Sequence, residues 1–267
     1  MKDFEKRMAE APTGGAPLLV RDGTGRATIT LNRPAHLNRL HREDLRTLQA
    51  HVAAVAADSS VRVLVITAAG RAFCAGFNLV EMNQPDGAEQ DPQLFERTVD
   101  ALEALPIPTL AALNGSVYGG ATDLALACDF RVGVQGMELR MPAVRLGLHY
   151  YPSGLQRYVS RLGLAAAKRL FMLAQAHSGE TLLQMGFLDA LVEPAALPAH
   201  VEALAAELLA GAPLAMAGMK QSLNEIARGD ANAKVLRQRV AACAASADLR
   251  EGLQAQAEKR KPRFTGN

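Results

Sequence analysis

Two stretches of this chain place glycine between a strand-like run and a helix-like one. "ITAAGRAFCAGFNL" carries Gly70 and Gly76, and "LNGSVYGGATDL" carries Gly115, Gly119 and Gly120. Free backbone N–H groups at such junctions can hold an anion or a developing oxyanion. The same glycines also suit tight turns at strand ends, which almost any α/β protein needs. Neither stretch continues into the Gly-Lys-Ser/Thr of a phosphate loop, and neither has GxGxxG spacing. A third stretch, "RMPAVRLGLHYYPSG", gathers His149, Tyr150 and Tyr151 without one Asp or Glu. Histidine, with an ordinary pKa of about 6.5, can serve as acid or base. Tyrosine, at about 10, is better suited to hydrogen-bonding a carboxylate or donating a proton. The three side chains can equally form an aromatic patch packed on a helical layer.

The surrounding pattern says what would position these groups. "APLLVRDGTGRATITLN" alternates about an Asp-Gly-Thr-Gly turn and reads as a β-hairpin. "HREDLRTLQAHVAAVAAD" repeats Leu45, Leu48, Val52 and Val55 at helical spacing. "VRVLVITAAG" is a buried strand by its β-branched run. A surface loop is expected from Met82 to Gln93, then a helix from Leu94 to Leu105. "PIPTLAALNG" supplies a strand, "GGATDLALACD" a helix, and "FRVGVQGMELRMP" returns to strand. Beyond about position 150 the pattern is almost wholly helical, with segments over 162–174, 178–185, 195–210, 214–228, 231–245 and 247–260 punctuated by Pro194, Pro198, Gly211 and Pro213. The expected division is a leader over 1–16, an α/β core over 17–195 and a helical region over 196–267.

Composition narrows the function classes. With 29 basic and 27 acidic residues the net charge is only +2, and no basic run interleaves with aromatics, so nucleic acid is a poor partner. No apolar run approaches the roughly 20 residues of a membrane span, and the first residues lack the apolar core of a secretory signal, so a cytoplasmic location is expected. Cys74, Cys128 and Cys243 have apolar neighbours and no CxxC spacing, which reads as buried small hydrophobes. The six histidines form no compact ligand set, and no bound metal is expected.

Five ordered motifs together resemble the crotonase superfamily, the enoyl-CoA hydratase/isomerase family: "TLNRPAHLNRL", "RAFCAGFNLVEM", "LNGSVYGGATDLALACDFRV", "GFLDALV" and the closing "EKRKPRF". The resemblance covers about Pro17 to Phe264. It implies a repeated ββα core with perpendicular sheets, the crotonase spiral fold, followed by a helical trimerisation region. The partners it implies are an acyl-CoA thioester and copies of the same chain, as a homotrimer or a hexamer of two trimers. No permanently bound cofactor is implied, coenzyme A being part of the substrate.

Carried over residue by residue, the resemblance places two oxyanion-hole N–H donors at Phe77 and Gly120. CoA contacts fall at Arg33, Arg39, Ala75, Lys259, Lys261 and Phe264. Of the two glutamates that hydratases of the family use, the first corresponds to Asp123, one methylene shorter, and the second to Ala143. Asp123 can either cap the helix start or take part in proton transfer. Alanine can do neither, so the two-carboxylate hydration scheme lacks a partner here. Tyr150, and after it His149, are the candidates to make good the loss. Three functions stay open: a hydratase/isomerase working through Asp123, a decarboxylase or C–C hydrolase assisted by Tyr150 or His149, and a non-catalytic acyl-CoA-binding protein.

Overall fold

The computed structural model describes residues 14–83 and 91–267. The expected leader and the Met82–Gln93 loop therefore lie largely outside the described residues. Leu18–Arg21 (β1) and Arg26–Leu31 (β2) form the anticipated antiparallel hairpin. Val63–Ala68 (β3), Thr109–Leu113 (β4), Phe130–Val134 (β6) and Ala190–Val192 (β9) then add in parallel, giving the order β1-β2-β3-β4-β6-β9. A smaller sheet holds Val117–Tyr118 (β5), Glu138–Arg140 (β7) and His177–Ser178 (β8). The central strands are buried along nearly their whole length, which is why they read as continuous apolar runs rather than alternating ones.

Helices close over the large sheet. Arg42–Ala56 (α1) buries Leu45, Leu48, Val52 and Val55, the residues its spacing singles out. After the short Leu79–Asn83 (α2) comes Leu94–Glu103 (α3), which packs on α1 and on Ala121–Ala127 (α4). All seven residues of α4 are buried, because three alanines let it approach its neighbours closely. That burial carries Asp123 into the interior.

Beyond about position 150 the chain is mostly helical, as expected, but it also contributes two short strands. This part begins with Pro152–Leu162 (α5) and Leu164–Lys168 (α6), and α6 runs into a π-helical turn over Arg169–Leu173. Strand β8 precedes Gly179–Gln184 (α7), and β9 becomes the edge of the main sheet. Strands of two and three residues are too short to show alternation, so neither β8 nor β9 is marked by a local period, and "FLDALV" becomes a strand only through its pairing with β6. Leu197–Leu209 (α8) packs on β3, β4 and β6 through Leu197, Val201 and Ala205. It is thus part of the layer that covers the sheet. Pro213–Arg228 (α9), Ala233–Ala245 (α10) and Ala247–Ala257 (α11) complete the chain.

Candidate functional site

Two glycine-rich turns meet backbone to backbone. Cys74 bridges Val117 in parallel, and the Tyr118 N–H donates to the Cys74 carbonyl at 2.9 Å. Gly76 has φ +89°, and a Cβ there would lie 2.7 Å from the Tyr118 carbonyl oxygen, so no larger residue fits. Gly119, with φ +57°, faces it across the gap. Next along, Leu40 pairs with Phe77: the Leu40 N–H donates to the Gly76 carbonyl and the Asn78 N–H to the Leu40 carbonyl, both at 2.9 Å. A parallel bridge of this kind leaves the Phe77 N–H facing away from Leu40. Neither the Phe77 nor the Gly120 N–H has a hydrogen-bond partner among the described residues.

Polar side chains hold the first turn in place. Asn78 accepts from the Val80 N–H at 3.2 Å and donates to Glu81 Oε1 at 3.2 Å. Glu81 also accepts from the Arg42 N–H at 2.9 Å and pairs with His41 at the start of α1. Asn78 thereby works as a brace between the turn and α1.

One turn into α4 sits Asp123, 0% exposed. Its side chain caps no amide. Instead Oδ2 accepts from the Tyr151 hydroxyl and, at 2.8 Å, from Arg157 Nη1, while Oδ1 is buried without a partner. Burial pushes the Asp123 carboxyl above its ordinary value, and Arg157 pulls it the other way. Arg157 reaches three carboxylates: besides Asp123 it donates to Asp100 at 2.6 Å and to Glu103 at 3.0 and 3.2 Å. Burial works to raise the Glu103 carboxyl as well, but Arg157, Arg161 and Arg228 together hold it below its ordinary value.

An aromatic wall flanks these groups. Tyr150 and Tyr151 stack with centroids 4.3 Å apart, and Phe95 lies 6.2 Å from both Tyr151 and Phe77. The Phe95 ring comes within 2.6 Å of where a Cβ on Gly120 would sit, so it lies directly against the second turn. Gly154 makes room for the tyrosines: a Cβ there would meet the Tyr150 ring at 2.4 Å and the Tyr151 ring at 2.7 Å. Burial, and then the nearby Asp123 carboxylate, push both phenols upward, so they remain protonated hydrogen-bond donors.

The structure sorts the sequence candidates. Phe77, Gly120 and Asp123 come together. Tyr150 stands one step back, its hydroxyl donating to the Tyr151 hydroxyl at 3.3 Å, and Tyr151 is the tyrosine that touches Asp123. His149 is exposed, with Nδ1 2.8 Å from the Tyr150 carbonyl oxygen, and makes no hydrogen bond to Asp123. Ala143 is buried at the start of a 3-10 turn, and Glu138, on β7, accepts from the Tyr118 hydroxyl at 2.7 Å. Arg33 is committed to Asp44, at 2.9 and 3.0 Å, and to Glu43 at 3.3 Å. Arg39 keeps a buried Nε with no partner, and Ala75 spends its N–H on the Leu37 carbonyl. Lys259 and Lys261 are exposed beyond α11, and Phe264 packs beside Gly252, all without a hydrogen bond to the Phe77–Asp123 group. Arg157 and Gly154 went unnoticed in the sequence. The adjacency of Tyr151 to Pro152 was the available signal for the tyrosine, since a residue before proline is held extended.

A profile of the enoyl-CoA hydratase/isomerase family matches residues 22–267. The chain belongs to the enoyl-CoA hydratase/isomerase family. It is 34% identical over 249 residues to YngF of Bacillus subtilis, named as an enoyl-CoA hydratase/isomerase, covering 90% of this chain and 94% of that one. It is 30% identical over 240 residues to the short-chain-enoyl-CoA hydratase of Clostridium acetobutylicum, covering 88% and 92%. Among solved structures, an enoyl-CoA hydratase/carnitine racemase from Magnetospirillum magneticum superposes with a TM-score of 0.88 at 27% identity, over 95% of this chain and 96% of that one. This member of the family is an acyl-CoA-processing enzyme of the hydratase/isomerase type, and its α/β core with C-terminal helices is the crotonase fold.

Proposed function

We propose that the enzyme forms and quenches the enolate of an enoyl-CoA thioester, holding the thioester oxygen on the N–H groups of Phe77 and Gly120 and moving the proton with Asp123. Preorganised amides suit this task because they need not reorient as charge develops. The observation that carries the reading is a single carboxylate, one oxygen of it unpartnered, next to two unpaired amides, with alanine at 143.

Within the hydratase/isomerase type, one carboxylate favours the isomerase reaction. Asp123 takes the proton from C2 of a 3-enoyl thioester, and the electron pair of that C–H bond moves onto the thioester oxygen. The enolate then collapses as the same proton returns at C4, leaving the double bond between C2 and C3. Hydration would ask one group to activate water at C3 and deliver a proton at C2, and Ala143 offers no second. Decarboxylation assisted by Tyr150 or His149 has less support, since neither touches Asp123. Arg39 is the better placed of the two early arginines for a CoA phosphate, because its Nε has no carboxylate partner. Lys259, Lys261 and Phe264 would serve a neighbouring subunit's nucleotide in a homotrimer, or in a hexamer of two trimers. Exposed Met219, Leu223, Ile226 and Val240 on the C-terminal helices support a face covered by another copy.

The test compares 3-hexenoyl-CoA isomerisation with crotonyl-CoA hydration for the purified protein and D123N. Isomerisation is expected to be the faster and to fall at least about a hundredfold in D123N. Faster hydration overturns the isomerase assignment, and undiminished D123N turnover removes Asp123 from the mechanism.

A further inference from the structure

Asp123 has two oxygens in unequal surroundings. Oδ2 accepts from Tyr151 and from Arg157, whereas Oδ1 has no hydrogen-bond partner among the described residues. Aspartate is shorter than glutamate, so a small rotation about its side-chain torsions would displace its oxygens from any fixed substrate atom. Two donors converging on one oxygen, from different directions of the fold, suppress that rotation.

We infer that Tyr151 is a positioning residue for proton transfer: together with Arg157 it anchors Oδ2 and leaves Oδ1 as the oxygen that exchanges the proton. The inference rests on the reading of Asp123 as the proton carrier.

Tyr151 is itself held by several neighbours. Its ring stacks on Tyr150, abuts Phe95 and fills the space left by the missing Cβ of Gly154, and Pro152 keeps its backbone extended at φ −74°, ψ 156°. The Tyr150 hydroxyl donates to it, which aligns the Tyr151 proton toward Asp123. Its side chain therefore carries little remaining freedom, and the hydrogen bond to the carboxylate is preorganised. Tyr151 also influences when Asp123 is charged. The groups facing that carboxylate are Arg157 from α5, Glu103 from α3, Tyr151 itself and the more distant phenols of Tyr150 and Tyr158. Of these, Arg157 and Tyr151 favour the ionised form, and Glu103 opposes it.

The experiment is steady-state kinetics of Y151F, Y150F and D123N in the intact enzyme with 3-hexenoyl-CoA across pH. Phenylalanine keeps the stack with Tyr150 and removes only the hydroxyl. In Y151F, kcat is expected to fall about ten- to a hundredfold, the range for losing a hydrogen bond to a charged group, with KM nearly unchanged. The acidic limb of the kcat profile is expected to move up by about one pH unit, because the ionised carboxylate loses a donor. Y150F, which removes only the hydroxyl that donates to Tyr151, is expected to lower kcat by less than Y151F does, and a larger loss in Y150F than in Y151F would overturn the assignment to Tyr151. A Y151F enzyme with parental kcat and an unmoved acidic limb, beside an inactive D123N, overturns this inference while leaving the functional reading intact. An active D123N overturns the reading beneath it. Should Y151F fold poorly, the infrared carboxyl bands of Asp123, obtained by difference against D123N, report the same contact without turnover. Asp123 bands at the positions of a carboxylate free of hydrogen bonds would likewise overturn it.

Discussion

Replacing Arg157 with methionine removes the one cation in contact with Asp123 among the described residues and keeps much of the side-chain volume. The three carboxylates that Arg157 reaches do not weigh equally. Asp100 is 40% exposed, so its share falls in the range of surface pairs, about 0–1 kcal/mol. Glu103, 13% exposed, retains Arg161 at 2.8 Å after the change. Asp123, at 0%, loses its charge partner and carries most of the effect. Stranding a buried charge in this way destabilises by about 3–5 kcal/mol. The pH dependence has a definite sign. The folded Asp123 carboxyl already lies above its ordinary 3.8, and without Arg157 it rises further, so the folded state is penalised at high pH and the penalty fades as the group protonates. Glu103, held below its ordinary 4.5, contributes stability that is present above that value and lost as pH falls through its lowered value. The Asp123 effect makes the difference between parent and variant large at pH 8 and smaller at pH 5, whereas the Glu103 contribution is present at both. Urea unfolding at those two pH values, at one protein concentration, measures it. A difference below about 1 kcal/mol at pH 8, or one equal at both pH values, would refute the buried ion pair as the support of Asp123.

Two further outcomes follow from the same geometry. Gly76→Ala forces a Cβ to within 2.7 Å of the Tyr118 carbonyl at a φ of +89°, so the Phe77 amide must shift. Thioester turnover is expected to fall about a hundredfold or more with the circular dichroism spectrum retained, and normal turnover would show that the glycine contact does not set the amide's position. Burial pushes the Cys74 and Cys128 thiols up to about 12, while Cys243 is only half-buried. Ellman's reagent is thus expected to label at most one thiol per native chain and three in urea, and rapid labelling of two or more in the native state contradicts the packing around Cys74 and Cys128.

Much of the scaffold was legible because its signals are local. The hairpin turn at 22–25, the apolar runs of β3 and β4, and the spacing of Leu45, Leu48, Val52 and Val55 each declare themselves within a few residues. Local, too, were the two glycine turns, whereas the missing carboxylate at Ala143 came only from the resemblance to the family. Strand β9 was not legible, since three residues have no period of their own and only β6 makes them a strand.

The site followed the same division. Sequence alone determined which chemical groups exist: two glycine-flanked amides, one aspartate, and neighbouring tyrosines. Which of them meet was decided by tertiary structure. Tyr150 and Tyr151 are equivalent in the chain, yet Tyr151 alone reaches Asp123, 28 residues away, because Pro152 and Gly154 set its direction. Arg157 looked like an ordinary helix arginine until α5 packed on α4 and brought it to a carboxylate 34 residues distant. Arg33 and Arg39 likewise differ only in the folded chain, where Asp44 engages the first while the Nε of the second has no partner among the described residues. Residue type is a property of one position, whereas partnership depends on where two distant segments are packed, and no local pattern records that distance.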